Sequence, residues 1–531
     1  MSCRTAPTPA RPAARVLVAA LAAALPLAAA AEIPELTVGL SVSPTSIDPQ
    51  LGALGSDEGY YRHIYDPLIL SDANLQPVPA LATSWELIDD LTWELKLREG
   101  VRFHDGSAFD AGDVAFTLER LPTVPGSDGL NAEKMSAIER LEIVDPHTIR
   151  LHTAVPTPDM LTLLYTAFVI SDELDPDVTT EDFNSGAAAI GTGPYAFGSW
   201  QRGTALNLEA NEDYWGGAPA AKTVTLREMP EDAARVAALL SGDVDVIDAV
   251  PPLDVARLEA DPDVAVVSGP SARTVFLQFN TEMAPGPMLT GADGAPLPEN
   301  PLRDGRVREA LSLAISQELV GARIMEGLST PINQGVPSGF LGVDKTLPPP
   351  AYDPERARAL LAEAGYPDGF GMTLACPNDR YVNDAAICQA AGQMLSAVGI
   401  DVEVETMPKS VYFTRMRAGE FPMFMLGWGN AQGNSGSMLR AVLVTRDEAG
   451  GFGSWNGGFS DPEADAQLVA AEQIMDVERR DAELAKASRM FMDAHAIVPL
   501  HAQNVIMGLR RGLGYTTMPD EAFRAHFVTE E

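Results

Sequence analysis

The sequence is poor in cysteine and has a single long hydrophobic run. Cysteine occurs three times in 531 residues, and the run spans residues 16–31, after Arg4, Arg11 and Arg15. This run is shorter than the roughly 20 apolar residues that span a bilayer. A basic start, a short apolar run and small residues at its end are typical of a secretory signal peptide. We therefore expect residues 1–31 to be removed and the mature, periplasmic chain to begin near Glu32.

Basic residues are also scarce. The chain has 37 lysines and arginines against 74 aspartates and glutamates, a formal net charge of −37. Such a charge repels nucleic acid and anionic lipid, so we expect no nucleic acid among the partners. The hydrophobic content of 46% is ordinary for a packed globular protein. At about 500 mature residues, the chain should divide into two or three domains.

Common catalytic and cofactor motifs are missing. The segment GTGPYAFG (191–198) lacks the third glycine of a dinucleotide-binding loop, and neither a Gly-Lys-Ser/Thr nor an HExxH sequence occurs. His495 and His501 are six residues apart, which is off helical register, so they do not predict a metal site. The segment FHDG (103–106) is typical of a turn after a strand. We expect no cofactor, no metal and no enzymatic activity; a secreted hydrolase is a distant alternative.

The two cysteines beyond the signal segment, Cys376 and Cys388, bracket the sequence CPNDRYVNDAAIC. An exported chain meets an oxidising compartment, in which cysteines pair. We expect a disulfide that closes a short loop carrying Arg380 and Tyr381. Two free buried thiols are the alternative.

Short strands and amphipathic helices alternate along the chain without an internal repeat, which indicates an α/β fold. Around the cysteines, MTLAC (372–376) and VEVETM (402–407) have strand character. Between them, a helix that begins near Asn383 or Asp384 has an apolar face of Ile387, Ala391, Met394, Leu395 and Val398. In such strand–helix–strand units, ligands lie beyond the carboxyl ends of the strands. Arg380 and Tyr381 lie at that end.

Five segments carry a resemblance to a known family. In order, they are LKLREGVRFHDGSAFDAGDVAFTLERL (95–121), GTGPYAFGSWQRGTALNLEANEDYWGGAP (191–219), PLRDGRVREALSLAIS (301–316), ARALLAEAGYPDGF (357–370) and IVPLHAQ (497–503). With them, the chain resembles the peptide-type, family 5 solute-binding proteins of ABC importers, which include dipeptide, oligopeptide and nickel binders. The resemblance covers nearly all of the mature chain.

The resemblance implies a two-lobed α/β binding protein with a third, inserted subdomain and a cleft that closes by a hinge. Lobe I would comprise residues 32–70, 190–280 and 505–531, the inserted subdomain residues 71–189, and lobe II residues 281–504. The implied function is delivery of a peptide or peptide-like solute to a membrane ABC permease with its cytoplasmic ATPases. An oligosaccharide or another amide-rich or hydroxyl-rich solute is the alternative. The implied binding protein is a monomer.

The resemblance also implies candidate ligand-binding residues. In dipeptide-type relatives, an arginine at the start of this same helix holds the ligand carboxylate, and Arg380 is the matching residue. The family's Gly-Trp segment matches Gly427 and Trp428. Peptide-binding relatives commonly continue with an aspartate that holds the ligand's amino group, whereas this chain has carboxamides, which fits amide, hydroxyl or sugar groups better than a bare ammonium. The further candidates are Tyr381, Asn430, Gln432, Asn434, Tyr60, Tyr61 and Trp455.

Overall fold

The computed structural model describes residues 33–52, 55–127, 130–430, 432–447 and 452–531. The predicted signal peptide, residues 1–31, lies outside these ranges. Within the described ranges, every helix is too short or too polar to cross a bilayer.

The strands of the first half of the chain belong to three sheets, with helices between them. The strands are β1 (Ile33–Leu40), β2 (Ile69–Ser71), β3 (Pro77–Pro79), β4 (Ala82–Asp89), β5 (Thr92–Leu97), β6 (Ile138–Asp145), β7 (Thr148–Thr153), β8 (Tyr195–Gln201), β9 (Ala205–Ala210), β10 (Ala221–Glu228) and β11 (Val246–Ile247). The helices are α1 (Gly55–Ile64), α2 (Ala111–Arg120), α3 (Leu130–Met135), α4 (Met160–Leu163), α5 (Thr180–Ser185), α6 (Asp232–Ser241) and α7 (Pro252–Glu259).

The second half contains the two longest strands, β12 and β18. Its strands are β12 (Val264–Phe279), β13 (Leu289–Gly291), β14 (Ser329–Thr330), β15 (Phe370–Pro377), β16 (Ile400–Met407), β17 (Met423–Gly429), β18 (Ile497–Arg510), β19 (Leu513–Gly514) and β20 (Thr529–Glu530). Its helices are α8 (Gly305–Leu313), α9 (Gln317–Leu319), α10 (Pro354–Glu363), α11 (Asp384–Ser396), α12 (Lys409–Arg417), α13 (Gly436–Met438), α14 (Pro462–Ala471) and α15 (Val477–Asp493).

One large sheet runs through most of the molecule in the order β13-β15-β17-β12-β18-β11-β1-β10-β9-β8, with β16 beside β15 and β14 beside β18. Strands β12 and β18 pair antiparallel along most of their length. One end of β18 pairs with β11, and the far end of β12 pairs with β17. Their mutual register breaks between Pro270 and Thr274. These two strands therefore connect both halves of the sheet, and their pairing is irregular at the junction.

Separate hydrophobic cores flank this junction. A first core packs α1 and the C-terminal segment against β1 and β8–β10, and a second packs α8, α10 and α11 against β12, β15 and β16. A third core belongs to a four-stranded sheet of order β4-β5-β7-β6, covered by α2 and α4. The other face of β12 and β17 packs against α14 and α15.

The strand–helix–strand unit around the cysteines is confirmed as β15–α11–β16, with β15 parallel to β16. Helix α11 begins at Asp384, within the predicted position. Ile387, Ala391 and Leu395 are fully buried, as the predicted apolar face requires. Helix α10 begins at Pro354 with Asp353 as its cap, and Gly365 follows it with a φ of +99°, a left-handed conformation that glycine adopts without strain.

Candidate functional site

The candidate site is built on the loop between β15 and α11. The structure joins Cys376 to Cys388 by a disulfide, with 6.6 Å between the Cα atoms, so the predicted disulfide is confirmed. Strand β15 is parallel to β17, its neighbour in the sheet. The loops that follow these two strands therefore emerge at the same edge. One carries Arg380 and Tyr381, and the other runs from Asn430 to Asn434.

The acidic residues next to Arg380 in sequence are engaged with backbone groups. The Asp384 carboxylate accepts hydrogen bonds from the backbone N–H groups of Arg380 (2.9 Å) and Tyr381 (3.0 Å). The Asp379 carboxylate accepts one from the backbone N–H of Lys409. Asp384 thus holds the loop at the start of α11, and neither carboxylate pairs with the Arg380 side chain.

The Arg380 guanidinium lies over the Tyr381 ring, 5.2 Å from its centroid. Among the described residues, no carboxylate lies within ion-pair distance of it. The Arg380 side chain is exposed to solvent on one side. Neighbouring elements remove part of the water around its guanidinium, and this desolvation lowers the pKa of the guanidinium. The positive charge of Arg273 lowers that pKa further. The guanidinium is therefore a cation that forms no ion pair with any carboxylate in the described part of the chain.

Tyr381 is a buried scaffold residue, only 7% exposed. Its hydroxyl accepts a hydrogen bond from the backbone N–H of Gly427 at 2.9 Å. A Cβ atom at Gly427 would stand 2.5 Å from the Tyr381 ring. The ring therefore fastens the Arg380 loop to β17, and only glycine leaves room for it at position 427.

An ion pair that the sequence did not reveal stands beside Arg380. Arg273, on β12, donates from Nε and Nη2 to one carboxylate oxygen of Glu521 (2.9 and 2.7 Å), and Ser271 Oγ donates to the other (2.9 Å). Burial alone would raise the pKa of the Glu521 carboxyl, but the charge and hydrogen bonds of Arg273 hold it below its usual value. Arg273 and Glu521 are 248 residues apart, so no local pattern indicates the pair.

The loop after β17 places several predicted residues together. Asn430 and Asn434 are each 1% exposed, and the Asn430 side chain donates to the Asn434 carbonyl. The Asn430 carboxamide oxygen accepts from the backbone N–H of Gln432. Trp428 Nε1, Asn434 Oδ1 and Ser435 Oγ are buried and have no hydrogen-bond partner among the described residues. Trp428 packs against the core that contains α14 and α15, and Ser435 Oγ would lie 2.1 Å from a Cβ atom at Gly342, so these atoms face the body of the second half.

This loop also touches the third core across the molecule. Asn434 Nδ2 donates to the carboxylate of Asp159 at 3.1 Å, and Arg480 Nη2 lies 3.7 Å from the other oxygen of that carboxylate. Asp159 precedes α4, whose Met160 is buried in the third core. Met475, next to α15, packs against the same core. The loop is thus held from two sides.

The model for bacterial extracellular solute-binding proteins, family 5 middle, matches residues 76–449. The chain belongs to this family.

Relatives of this solute-binding protein align along nearly its whole length. It is 27% identical over 500 residues to the glutathione-binding protein GsiB of Pectobacterium atrosepticum. This alignment covers 90% of this chain and 91% of GsiB. The structure is similar to the ABC transporter-associated periplasmic binding protein DppA from Helicobacter pylori in complex with the peptide STSA. That match has a TM-score of 0.79 and 25% identity, and covers 94% of this chain and 99% of DppA.

A second solved structure, the oligopeptide-binding protein AppA from Bacillus subtilis in complex with a nonapeptide, shares the fold. Its TM-score is 0.76 at 20% identity, and the match covers 95% of this chain and 100% of AppA. The fold is thus that of the two-lobed periplasmic binding proteins, in the form with an inserted subdomain. In this solute-binding protein, β12 and β18 are the strands that join the two halves of the large sheet.

Three predicted site residues lie apart from the Arg380 edge. Tyr60 and Tyr61 are 2% and 1% exposed, in the first core of the solute-binding protein, and the Tyr60 hydroxyl donates to the Val42 carbonyl. The Trp455 ring contacts Phe413 edge-on, and the Arg417 guanidinium lies 4.1 Å from its centroid. The structure therefore assembles the Arg380 and Asn430–Asn434 loops but packs Tyr60, Tyr61 and Trp455 elsewhere.

Proposed function

We propose that this solute-binding protein resides in the periplasm, encloses a peptide or peptide-like solute between its lobes and delivers it unchanged to an ABC permease. The observation that carries the proposal is the Arg380 guanidinium, which has no described carboxylate within ion-pair distance and lies at the edge where the loops after β15 and β17 emerge. The relatives named as a glutathione-binding protein and as DppA in complex with a peptide support the peptide prediction rather than the oligosaccharide alternative.

Arg380 would bind a carboxylate of the solute. A guanidinium presents two parallel donors that match the two oxygens of a carboxylate. Because Asp384 and Asp379 are already occupied by backbone N–H groups, this charge is open to a ligand. Tyr381 would hold the Arg380 guanidinium in position and would not itself contact the solute.

The loop after β17 would bind the polar groups between the ends of the solute. Asn430, Gln432 and Asn434 carry carboxamides, each of which can both donate and accept a hydrogen bond. A peptide bond offers one acceptor and one donor, so this combination complements a peptide backbone.

Closure would follow the predicted lobes: residues 32–70, 190–280 and 505–531 in lobe I, 71–189 in the inserted subdomain and 281–504 in lobe II. Both boundaries at the hinge, near residues 280 and 504, fall at or inside β12 and β18. Rotation about these two strands would bring Arg380 and the facing subdomain together around the solute.

The solute itself provides the test. Protein purified from the periplasm without refolding should carry a bound small molecule in native mass spectrometry. After denaturation, a peptide-like compound should be recovered, and re-adding it should raise the melting temperature without changing its mass. Recovery of a chemically altered compound after incubation would contradict the proposal by indicating an enzyme. A sugar as the sole bound molecule would contradict the peptide assignment.

A further inference from the structure

The predicted inserted subdomain (71–189) is joined to the predicted lobe I through buried contacts. Arg120, at the end of α2, donates from both terminal nitrogens to the carboxylate of Asp48, at 3.0 and 2.7 Å, and both side chains are buried. Phe168 and Phe183 lie in the first core, together with β1 and β8–β10. Separating these surfaces would break a buried ion pair and expose apolar rings, and both changes are costly. We therefore expect the subdomain to move with lobe I as one body.

A different set of contacts joins the subdomain to the predicted lobe II (281–504), and one of them involves a strained residue. Leu75, in the turn between β2 and β3, has a φ of +59°, a left-handed conformation that leucine rarely adopts. It is nevertheless only 2% exposed. A Cβ atom at Gly433 would stand 3.3 Å from the Leu75 Cβ atom, and the Tyr165 hydroxyl donates to the Leu75 carbonyl. The strained turn is therefore buried against the Asn430–Asn434 loop.

Two further contacts join the same two parts of the chain. The Asp159 carboxylate accepts a hydrogen bond from Asn434 Nδ2 at 3.1 Å and faces Arg480 Nη2 at 3.7 Å. Burial raises the pKa of the Asp159 carboxyl, whereas the charge of Arg480 and the hydrogen bond from Asn434 lower that pKa, so this contact favours the ionised carboxylate. Met475, between α14 and α15, packs against the third core. Asn434 follows Gly433 directly, so the polar and the apolar contact hold the same loop.

We propose that these contacts form a latch that must break before the solute can leave. The latch comprises Leu75, Asp159 and the third core on the subdomain, and Gly433, Asn434, Arg480 and Met475 on lobe II. This inference rests on the proposed function, because opening of the cleft carries the subdomain away with lobe I and so separates each of these pairs. Leu75 and Asp159 do not touch the solute. They are positioning residues that hold the loop after β17 against it.

The latch acts on release of the solute rather than on its recognition. Contacts that form only on closure stabilise the closed complex and not the first, open encounter. Their loss should therefore raise the dissociation rate and leave the association rate nearly unchanged. The preference among solutes should also stay the same, since Arg380 and the carboxamides of the loop are intact.

Leu75→Gly removes the apolar contact without adding strain, because glycine adopts a left-handed conformation freely. The probe is an equimolar library of tetrapeptides, which is loaded onto immobilised mature protein and followed by mass spectrometry during washing. We expect release about three- to tenfold faster than from the wild type, with no fall in the melting temperature of the peptide-free protein. Glu326→Gly is the matched control, because Glu326 is an exposed residue with a φ of +50° outside the latch, and it should release at the wild-type rate.

A cysteine pair tests the contact by locking it. Leu75→Cys together with Gly433→Cys places two Cβ atoms 3.3 Å apart, close to the roughly 3.5–4.5 Å that disulfides span. When it is oxidised after loading, the double variant should retain the tetrapeptides at least about tenfold longer than when it is reduced. The wild type taken through the same oxidation and reduction is the control for effects on Cys376–Cys388.

The outcomes separate this inference from the proposed function. Wild-type release from Leu75→Gly, or equal exchange of peptides by the oxidised and reduced double variant, would overturn the latch and leave a peptide-binding protein. A wild type that retains no tetrapeptide would overturn the peptide assignment, and the latch is then tested without a solute. Asp159→Ala should slow oxidation of the cysteine pair in the peptide-free protein by about fivefold, whereas Asp177→Ala, which removes an exposed carboxylate, should not. Equal oxidation rates would overturn the latch.

Discussion

The Tyr381 hydroxyl accepts a hydrogen bond from the backbone N–H of Gly427, and the Tyr381 ring fills the space where a side chain at position 427 would stand. Two residues further along β17, a Cβ atom at Gly429 would stand 3.1 Å from Arg273 Nη2. The Gly-Trp-Gly sequence of β17 therefore admits Tyr381 and Arg273 on one face, while strand alternation turns Trp428 to the other.

Gly427→Ala should displace the Tyr381 ring. The new methyl group would overlap the ring, and overpacking of this kind costs about 1–3 kcal/mol of folding free energy. Urea unfolding followed by circular dichroism measures the loss. Gly286→Ala is the control, because its nearest neighbour would be 3.9 Å from the new Cβ atom. Equal stability of the two variants would show that the contact between Tyr381 and β17 is not tight.

Replacing Cys376 and Cys388 together by serine should lower the free energy of unfolding by about 2–4 kcal/mol, because the unfolded chain gains freedom. Solute binding should weaken less than in Arg380→Ala, since the loop is still held by Asp384 and Tyr381 while the cation remains. Thermal unfolding and calorimetry measure the two effects. Intact mass should also rise by two hydrogens when the wild type is reduced; thiols that alkylate without reductant would contradict the disulfide.

Asp159→Ala should favour the open form of the protein. The variant loses the hydrogen bond to Asn434 and the charge facing Arg480, which would join the predicted inserted subdomain (71–189) to the predicted lobe II (281–504). A hydrogen bond to a charged group contributes about 1.5–3 kcal/mol, so the closed fraction should fall. Small-angle X-ray scattering should record a larger radius of gyration. Asp177→Ala, which removes an exposed carboxylate from the same subdomain, is the control; identical scattering from both variants would argue against the contact.

Local patterns predicted the elements of this protein well where apolar periodicity and caps agree. Asp353, Pro354 and Gly365 mark both ends of α10, and the apolar face of α11 fixes its orientation. Strand β12 begins at Val264, ten residues before the apolar run TVFLQFN (274–280), which alone has clear strand character in the sequence. Gly269 and Pro270 interrupt the strand pattern, and in the structure they lie where the pairing with β18 becomes irregular.

The candidate site was only partly predictable, because it depends on contacts between distant segments. The position of Arg380 followed from the strand–helix–strand pattern and the cysteines. Arg273 pairs with Glu521, which is 248 positions away, and Asn434 contacts Asp159, which is 275 positions away. No spacing rule in a sequence reaches that far. Tyr60 and Tyr61 were candidates for the ligand site, and the structure places both in the first core. Aromatic character did not separate the two locations, because an aromatic ring fits a core as well as a cleft.

Stability should fall as the pH decreases from about 6.5 to 4, in part because of His501. Burial lowers the pKa of His501 from 6.5 to about 4, and neither ring nitrogen has a partner among the described residues. In this range the unfolded chain binds a proton that the folded protein does not, so unfolding becomes easier by up to about 1.4 kcal/mol per pH unit. His501→Leu should therefore lose stability less steeply than the wild type in urea titrations at pH 4.5, 5.5 and 6.5; parallel slopes would contradict a neutral, buried His501.

The most direct test of the account is the affinity of Arg380→Ala for the solute recovered from the wild type, measured by isothermal titration calorimetry. Loss of the guanidinium leaves the solute carboxylate without its partner, so binding should weaken by about 2–5 kcal/mol, and Arg380→Lys should recover only part of this. The methyl ester of the solute should bind the wild type poorly and be nearly indifferent to Arg380→Ala. Unchanged affinity of Arg380→Ala for the free acid would remove Arg380 from the site and contradict the account.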